Sequence, residues 1–165
     1  MSDHTAIAEI IDASAALARR ITGVGAAFGV GSGLVTDIYT GIPVPAAPTN
    51  ALDLGPGVHV SRWPKTPAVR YLSATVAEWT WQIPMDLSLM GPDLPTLLSQ
   101  GIEMFAAYSE MFAAHSQLCR ASDGTPRCNS ALITAADPRQ DPPTLEFTLT
   151  VIERLNLDIQ PGGTL

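Results

Sequence analysis

Apolar and polar residues alternate regularly in two long stretches of the chain. In residues 69–90 the apolar side chains stand at odd positions from Ala77 to Leu89, and polar side chains fill most even positions between them. Residues 144–159 repeat this alternation. Because successive side chains of a strand point to opposite faces, each stretch predicts a strand with one face in a core.

Two residues interrupt the alternation. Pro84 lies within the first stretch, and since proline has no amide hydrogen to donate, we expect an edge strand or a bulge there. Fully extended, residues 76–90 would span about 50 Å, so we expect a bend at Pro84 or projection beyond the sheet. Glu153 stands where the second stretch requires an apolar residue, and we expect a bulge there or its placement beyond the shared core.

Helical periodicity marks two further stretches. Residues 3–21 repeat apolar side chains three and four positions apart and are followed by Gly23, which predicts an N-terminal helix. Residues 94–118 predict a longer helix with Asp93 as its N-cap. Its predicted core stripe consists of Leu94, Leu97, Leu98, Ile102, Phe105, Phe112 and Leu118, widened by Met104, Tyr108 and Met111. A stripe of this width packs on a sheet or a neighbouring subunit more often than on a cofactor.

The remaining stretches connect these elements. Residues 129–136 predict another strand, and residues 137–143 predict a polar hairpin loop. Residues 22–68 are rich in Gly and Pro and predict a long irregular arm with one or two short strands, while residues 160–165 predict a loose tail. The pattern predicts one α+β domain over residues 1–165, in which an antiparallel or mixed sheet is packed by the N-terminal helix and the long central helix.

Composition and charge argue against several classes of partner. The 165-residue chain has a net charge of −7 and nine Lys and Arg residues, whereas a duplex-binding protein neutralises phosphates with such residues. Arg62, Lys65 and Arg70 gather around Trp63, and the other basic residues are spread thinly. No apolar run reaches the about 18 residues that cross a bilayer, and the N-terminus does not resemble a secretory signal. We therefore expect assembly in the cytoplasm and no membrane partner.

The stretch GVGAAFGVGSG at residues 23–33 is a candidate phosphate loop because of its glycines. It follows a predicted helix rather than a strand, lacks the third glycine of a dinucleotide fingerprint, and has no lysine for a P-loop. No helix is predicted after it to direct a dipole at a phosphate. We interpret it as a compliant joint that is mobile in an isolated subunit and ordered in an assembly.

The sequence contains no catalytic or metal-binding constellation. None of His4, His59 and His115 has a second ligand two to four positions away, and no serine lies in a GxSxG elbow. Cys119 and Cys128 fit neither a CxxC pair nor a zinc site. Free thiols are the default in a reducing cytoplasm, with a disulfide as the alternative. We predict no enzyme activity, no cofactor and no metal.

The order of the elements carries a resemblance to a known family. An amphipathic helix at residues 6–20 precedes an irregular region, and a long amphipathic strand at residues 76–90 precedes the helix at residues 94–118. The chain then ends in a strand pair that includes LEFTLTVIERLNLDI at residues 145–159. This order resembles that of the tail terminator, or tail completion, proteins of long-tailed bacteriophages.

The resemblance implies a structural virion protein at the interface of head and tail. It implies a homohexameric ring at the head-proximal end of the tail tube, which stops tube polymerisation and joins the tail to the head. The implied partners are further copies of the chain, the tail tube protein and the head–tail connector or stopper protein. The sheet would line the ring with the helices outside. DNA would pass through the lumen without specific binding, because the acidic charge of the chain repels the DNA phosphates.

Other functions remain open at this stage. Within the structural class, the alternatives are a head–tail connector and a tail tube subunit. In a different class, the alternative is a small ligand-binding protein or enzyme with a pocket under the long helix. Because a long arm has no evident purpose in a closed domain, we nominate residues in and after it for contacts between copies or with partners. The nominated residues are Gly29, Tyr39, Arg62, Trp63, Lys65 and Arg70.

Overall fold

The computed structural model of the chain describes residues 5–29, 35–36, 43–44, 56–89, 93–140 and 143–157. The described residues form two helices and eight strands. The helices are α1 (Ile7–Ala18) and α2 (Leu94–Ala114). The strands are β1 (Ala26–Phe28), β2 (Val35–Thr36), β3 (Pro43–Val44), β4 (Val58–Ser61), β5 (Ala68–Tyr71), β6 (Val76–Ser88), β7 (Ser130–Gln140) and β8 (Pro143–Asn156).

Six of these strands form one mixed sheet, which confirms the predicted α+β fold. Its order is β1–β4–β6–β8–β7, and β5 pairs with β6 on the side of β6 that also holds β4. The β1–β4 pair is parallel and the other pairs of this sheet are antiparallel. The predicted arm therefore supplies β1 and β4 to the main sheet, while β2 and β3 form a separate antiparallel pair.

Both helices pack on one face of the main sheet, where the odd-numbered residues of β6 and β8 form the predicted core. The ring of Tyr108 on α2 stacks on Phe147 of β8 with centroids 4.0 Å apart. Side chains of α1, including Ile10, Ile11 and Leu17, belong to the same core. The opposite face carries the even-numbered residues, and no described helix covers it.

β6 continues through Pro84, so the predicted bulge or edge strand at this position is wrong. Residues Val76–Ser88 pair with β8 in one unbroken register, and the strand does not project beyond the sheet. The carbonyl of Pro84 accepts the Arg62 amide at 2.9 Å, so its backbone N faces the same side. β4 ends at Ser61, just before the position opposite Pro84. The hydrogen bond that proline cannot donate is therefore missing only where the neighbouring strand has already ended.

β8 likewise continues through Glu153, and the bulge predicted there is wrong. Glu153 pairs with Trp79 in the unbroken β6–β8 register and is buried on the same face as Val151 and Leu155. The irregularity lies instead in β7, between Ile133 and Ala135. The side chains of β8 therefore alternate between the two faces of the sheet without a break, and the Glu153 carboxyl group occupies one position on the core face.

α2 buries only part of its predicted stripe. As predicted, Asp93 caps the helix by accepting the Thr96 amide at 2.8 Å, and this bond lowers the pKa of the Asp93 carboxyl. The buried side of α2 comprises Leu97, Gly101, Tyr108 and Phe112. The expected burial of Leu94, Leu98, Ile102 and Phe105 is wrong, since these side chains are exposed. The apolar surface of α2 is wider than the part of the helix that the sheet covers.

Glycines let the chain pack closely where the Gly-rich stretch meets the sheet. The Gly25 amide donates to the Gly57 carbonyl at 2.8 Å. Gly57 has a φ of +79°, and a Cβ on it would lie 2.8 Å from the Gly23 carbonyl oxygen. A Cβ on Gly29 would lie 2.0 Å from Oδ1 of Asp12 on α1. Residues 23–29 are thus held by contacts within one chain, and residues 30–33 of the predicted joint lie outside the described residues.

Candidate functional site

An apolar groove opens between α2 and β7, and we call it the α2–β7 groove. It has a volume of about 200 Å³. It is lined by Leu98, Gly101, Ile102, Phe105, Ala136, Pro138 and Leu145. Leu98, Ile102 and Phe105 share one face of the helix because they stand four and three residues apart, and Ile102 is 72% exposed. The groove is therefore an apolar surface that this chain leaves in contact with solvent.

A second exposed apolar surface lies around β5, and we call residues 62–72 the β5 corner. Trp63 is 58% exposed and Tyr71 is 72% exposed, and the side chains of Val69 and Leu72 are also exposed. Val69 and Tyr71 lie opposite Trp79 and Ala77, on the face that carries the core elsewhere in the sheet. Ala77 itself is buried, so the exposure is confined to the β5 edge of this face.

The pairing of β6 explains why this segment leaves the sheet. β4 and β5 follow one another along the same side of β6, with Arg62 bonded to Pro84 and Ala68 opposite Thr80. The residues between Arg62 and Ala68 outnumber the β6 residues that they pass, so the connection loops outward. This loop holds Trp63 and Lys65 in solvent.

Ion pairs fix both sides of the β5 corner. Arg62 forms an ion pair with Asp86. Glu78 accepts from Arg70 at 2.9 Å and from Arg154 at 3.2 Å. Arg70, Glu78 and Arg154 stand directly opposite one another on β5, β6 and β8. The corner is thus held in a defined position while its apolar side chains stay exposed.

The structure gathers four of the six nominated residues in the β5 corner, namely Arg62, Trp63, Lys65 and Arg70. Gly29 is buried against α1, so packing within the chain accounts for a glycine at this position. Tyr39 lies outside the described residues, as does the predicted tail at 160–165. The sequence interpretation missed the α2–β7 groove, although the unusual width of the α2 stripe was its signal.

A chain of buried polar side chains connects both helices to β4. Nδ1 of His59 lies 2.8 Å from the Tyr108 hydroxyl, and its Nε2 lies 2.7 Å from Oγ of Ser61. Oγ of Ser61 lies 2.8 Å from Oγ of Ser14, which donates to the Ile11 carbonyl at 2.6 Å. The four side chains have no exposure to solvent.

The directions of the hydrogen bonds follow from the Ser14 end of this chain and from the charge state of His59. Because the single hydroxyl proton of Ser14 goes to Ile11, Ser14 must accept from Ser61. Ser61 has then used its own proton and accepts Nε2–H of His59. Burial lowers the pKa of His59 from 6.5 to about 3, so the imidazole is neutral at neutral pH and its Nδ1 accepts from the Tyr108 hydroxyl.

This chain combines a serine and a histidine at the spacing of a nucleophile and its base. Its position is nevertheless that of a core, since neither Ser61 nor His59 is accessible. Burial also raises the pKa of the Tyr108 hydroxyl, which keeps that group protonated. The described geometry therefore supports a role in packing α1, β4 and α2 together, with every hydroxyl proton used.

The segment between the two cysteines is anchored to α1. Oε1 of Glu9 accepts from Nε of Arg120 at 3.0 Å and from Nε of Arg127 at 2.9 Å. Arg127 is buried and also donates to the Leu118 carbonyl at 2.9 Å. Both cysteines, Cys119 and Cys128, are free thiols. Burial raises the pKa of Cys128 to about 12, which makes its thiolate scarce at neutral pH.

Comparison of the chain with protein-family models, with curated proteins and with solved structures finds no match. The described part of the chain contains no group of three His, Cys, Asp or Glu side chains that could hold a metal ion. Neither α1 nor α2 is long and apolar enough to span a membrane.

Proposed function

We propose that the chain is a structural virion protein of the tail terminator kind. It forms a ring at the head-proximal end of a phage tail tube, stops tube polymerisation and joins the tail to the head connector. The observation that carries this proposal is the exposed stripe of Leu98, Ile102 and Phe105 on α2. A contiguous apolar surface that the fold itself does not cover is typical of a contact site for another protein.

The distribution of helices over the sheet also supports a ring. Both described helices lie on one face. On the other face Val58 and Val60 of β4 are buried, while β6, β7 and β8 carry partly or fully exposed polar side chains that would line a lumen. In the described residues this face carries as many arginines as carboxylates: Arg62, Arg70, Arg139 and Arg154, with Glu78, Asp86, Asp137 and Glu146. The face is thus balanced rather than acidic. Because its arginines are matched by carboxylates, it lacks the excess of basic charge that binds DNA phosphates.

The polar residues of this face also engage one another. Thr150 of β8 donates to Oε1 of Gln82 on β6 at 3.0 Å, and its Oγ1 lies 2.7 Å from that of Thr134 on β7. Hydroxyl groups that are hydrogen-bonded within this face are less available to DNA in the lumen than free hydroxyl groups.

The alternatives predict different behaviour. A head–tail connector or a tube subunit would also assemble with copies of itself. Loss of a connector would leave tails detached from heads, and loss of a tube subunit would prevent tails from forming. A ligand-binding protein or enzyme would use the pocket of about 230 Å³ beneath α2, which includes Gly57, Ser88 and Met104 in its lining. This volume lies below the 300–1,000 Å³ of typical small-molecule sites.

The deciding experiment is electron microscopy of phage particles produced without this gene. Loss of a terminator leaves tube growth unchecked, so we expect tails of excessive and variable length, and normal length once the wild-type gene is supplied in trans. Tails of normal length without the gene would refute the terminator function. Absent tails would instead indicate a tube subunit, and complete tails detached from heads would indicate a connector.

A further inference from the structure

We infer that residues 115–129, which we call the cysteine segment, form a redox-sensitive clip. In this clip Cys119 and Cys128 form a disulfide that loosens the attachment of the segment to α1. The oxidant is a small-molecule disulfide such as oxidised glutathione. The structure holds the reduced state, in which both thiols are free and the segment is tied to Glu9. The inference goes beyond the proposed function and does not depend on it.

The two cysteines stand on neighbouring arms of the cysteine segment. Backbone hydrogen bonds join the arms at two places, from the Arg127 amide to Gln117 at 3.0 Å and from the Arg120 amide to Thr125 at 2.8 Å. Each cysteine directly adjoins one of these two arginines in the sequence. Residues 121–126, which connect the arms, are all exposed. A change in the shape of this connection therefore uncovers no core side chain.

The two thiols are near each other but are not yet paired. Burial raises the pKa of Cys128, and the charges of Glu153 and Cys119 raise it further, so the two thiols lie within electrostatic reach. Sγ of Cys128 donates to the carbonyl of Ser116 at 3.6 Å, and the two cysteines line different cavities. A disulfide holds its two Cβ atoms about 4 Å apart. Cys128 must therefore leave Ser116 and move towards Cys119 before the bond forms.

This movement displaces Arg127, the neighbour of Cys128, which ties the cysteine segment to α1. The buried guanidinium of Arg127 donates to Oε1 of Glu9 at 2.9 Å and to the Leu118 carbonyl at 2.9 Å. Both bonds depend on the present position of the Arg127 backbone. The disulfide and the Arg127–Glu9 ion pair therefore oppose each other. By linkage, a weaker ion pair favours oxidation to the same extent that oxidation weakens the ion pair.

The reaction is a thiol–disulfide exchange in two steps. Cys119 reacts first because its thiol is partly exposed, whereas that of Cys128 is buried. The Cys119 thiolate attacks one sulfur of oxidised glutathione, and a glutathione thiolate leaves. The Cys128 thiolate then attacks Sγ of Cys119 in this mixed disulfide and expels the second glutathione thiolate. The two protein thiols lose two electrons and two protons, and one oxidised glutathione becomes two molecules of reduced glutathione.

Incubation of the folded protein in mixtures of oxidised and reduced glutathione tests the clip. After the free thiols are blocked with iodoacetamide, trypsin cleaves at Arg120 and Arg127 and separates the two cysteines. We therefore expect mass spectrometry to find a disulfide that joins two peptides. In the oxidised protein we also expect faster hydrogen exchange in residues 9–12, near the start of α1, because Arg127 no longer holds Glu9.

Three variants separate the clip from a general loss of stability. Glu9→Gln should raise the equilibrium constant for disulfide formation at least about fivefold, because the reduced state loses the ion pair that opposes oxidation. Glu110→Gln changes an exposed acid on α2 and should leave the constant unchanged. Gly29→Ala overpacks the fold beside Asp12. It should also leave the constant unchanged, since oxidation requires a local movement and not unfolding.

Any of three outcomes would overturn the inference. Glutathione bound to Cys119 without a link to Cys128 would show that Cys128 does not leave Ser116. Equal equilibrium constants for wild type and Glu9→Gln would show that the ion pair does not oppose the disulfide. An increase in Gly29→Ala as large as that in Glu9→Gln would show that oxidation proceeds through general unfolding.

Discussion

The Tyr108 hydroxyl on α2 donates to Nδ1 of His59 on β4 across 2.8 Å, and neither side chain is exposed to solvent. Through Ser61 and Ser14 this bond continues to the Ile11 carbonyl of α1. Because each hydroxyl has one proton, a change at one member alters the bonding of the next. The chain therefore links the placement of both helices to the protonation state of one buried imidazole.

We expect the stability of the protein to fall below pH 6.5 through His59. Burial lowers the pKa of His59 from 6.5 to about 3, so between these values the unfolded state binds one more proton than the folded state. The His59 contribution is complete above pH 6.5 and decreases by up to about 1.4 kcal/mol per pH unit towards pH 3. Urea unfolding between pH 5.0 and 6.5, where most carboxylates stay ionised, measures this slope.

His59→Gln should reduce that slope, since glutamine does not titrate. His115→Gln serves as the control because it leaves the buried chain intact and should keep the His59 contribution. Equal slopes in wild type and His59→Gln would contradict the expected protonation of His59 on unfolding.

Removal of one hydroxyl should test the direction of the buried chain. In Tyr108→Phe the stacking ring remains, but Nδ1 of His59 loses its donor inside the core. An unsatisfied buried acceptor costs about 1–3 kcal/mol, and we expect the free energy of unfolding in urea to fall by this amount. Tyr71→Phe removes an exposed hydroxyl and should change stability by less than about 0.5 kcal/mol. Similar effects of the two changes would argue against the chain.

Gly29 should tolerate a side chain poorly. The Cβ of Gly29→Ala would lie 2.0 Å from Oδ1 of the buried Asp12, which must then move. We expect a loss of about 1–3 kcal/mol, as for other overpacked sites, measured by thermal or urea unfolding. At Gly25 an added Cβ would come no closer than 3.9 Å to Gly57. Gly25→Ala is therefore the matched control, and an equal loss at both positions would point to backbone conformation instead.

Glu9 should stabilise the segment that contains both cysteines. Glu9→Gln removes the negative charge shared by Arg120 and by the buried guanidinium of Arg127. We expect a loss of about 1–2 kcal/mol, less than for a fully buried pair because Glu9 is partly exposed. Glu110→Gln changes an exposed acid on α2 and is the control. Faster hydrogen exchange at residues 119–129 in Glu9→Gln would locate the effect, and unchanged exchange there would contradict it.

The alternation of apolar residues was sufficient to predict the central strands and their core face. It failed at Pro84 and Glu153 because residue type alone does not show which neighbour a backbone group faces or which side chains surround a carboxylate. Pro84 fits an interior strand since β4 stops beside it. Glu153 keeps its place in the alternation although its side chain is polar.

The candidate surfaces were less accessible to prediction. The basic and aromatic content of residues 62–70 was visible in the sequence, but their exposure depends on the pairing along β6. The width of the α2 stripe was also visible in the sequence. The part of the stripe that the sheet covers, however, depends on how α2 packs against β7. The polar chain joins Ser14, Ser61 and Tyr108, which are distant in sequence, and no local pattern signals their convergence.

The two apolar stripes of α2 have a consequence for how the protein can evolve. The inner stripe, with Leu97, Tyr108 and Phe112, is buried in the core, while the outer stripe at Leu98, Ile102 and Phe105 makes up much of the groove. Substitutions in the outer stripe leave the core contacts in place. Sequence changes can therefore reshape this exposed groove, residue by residue, while the chain itself stays folded.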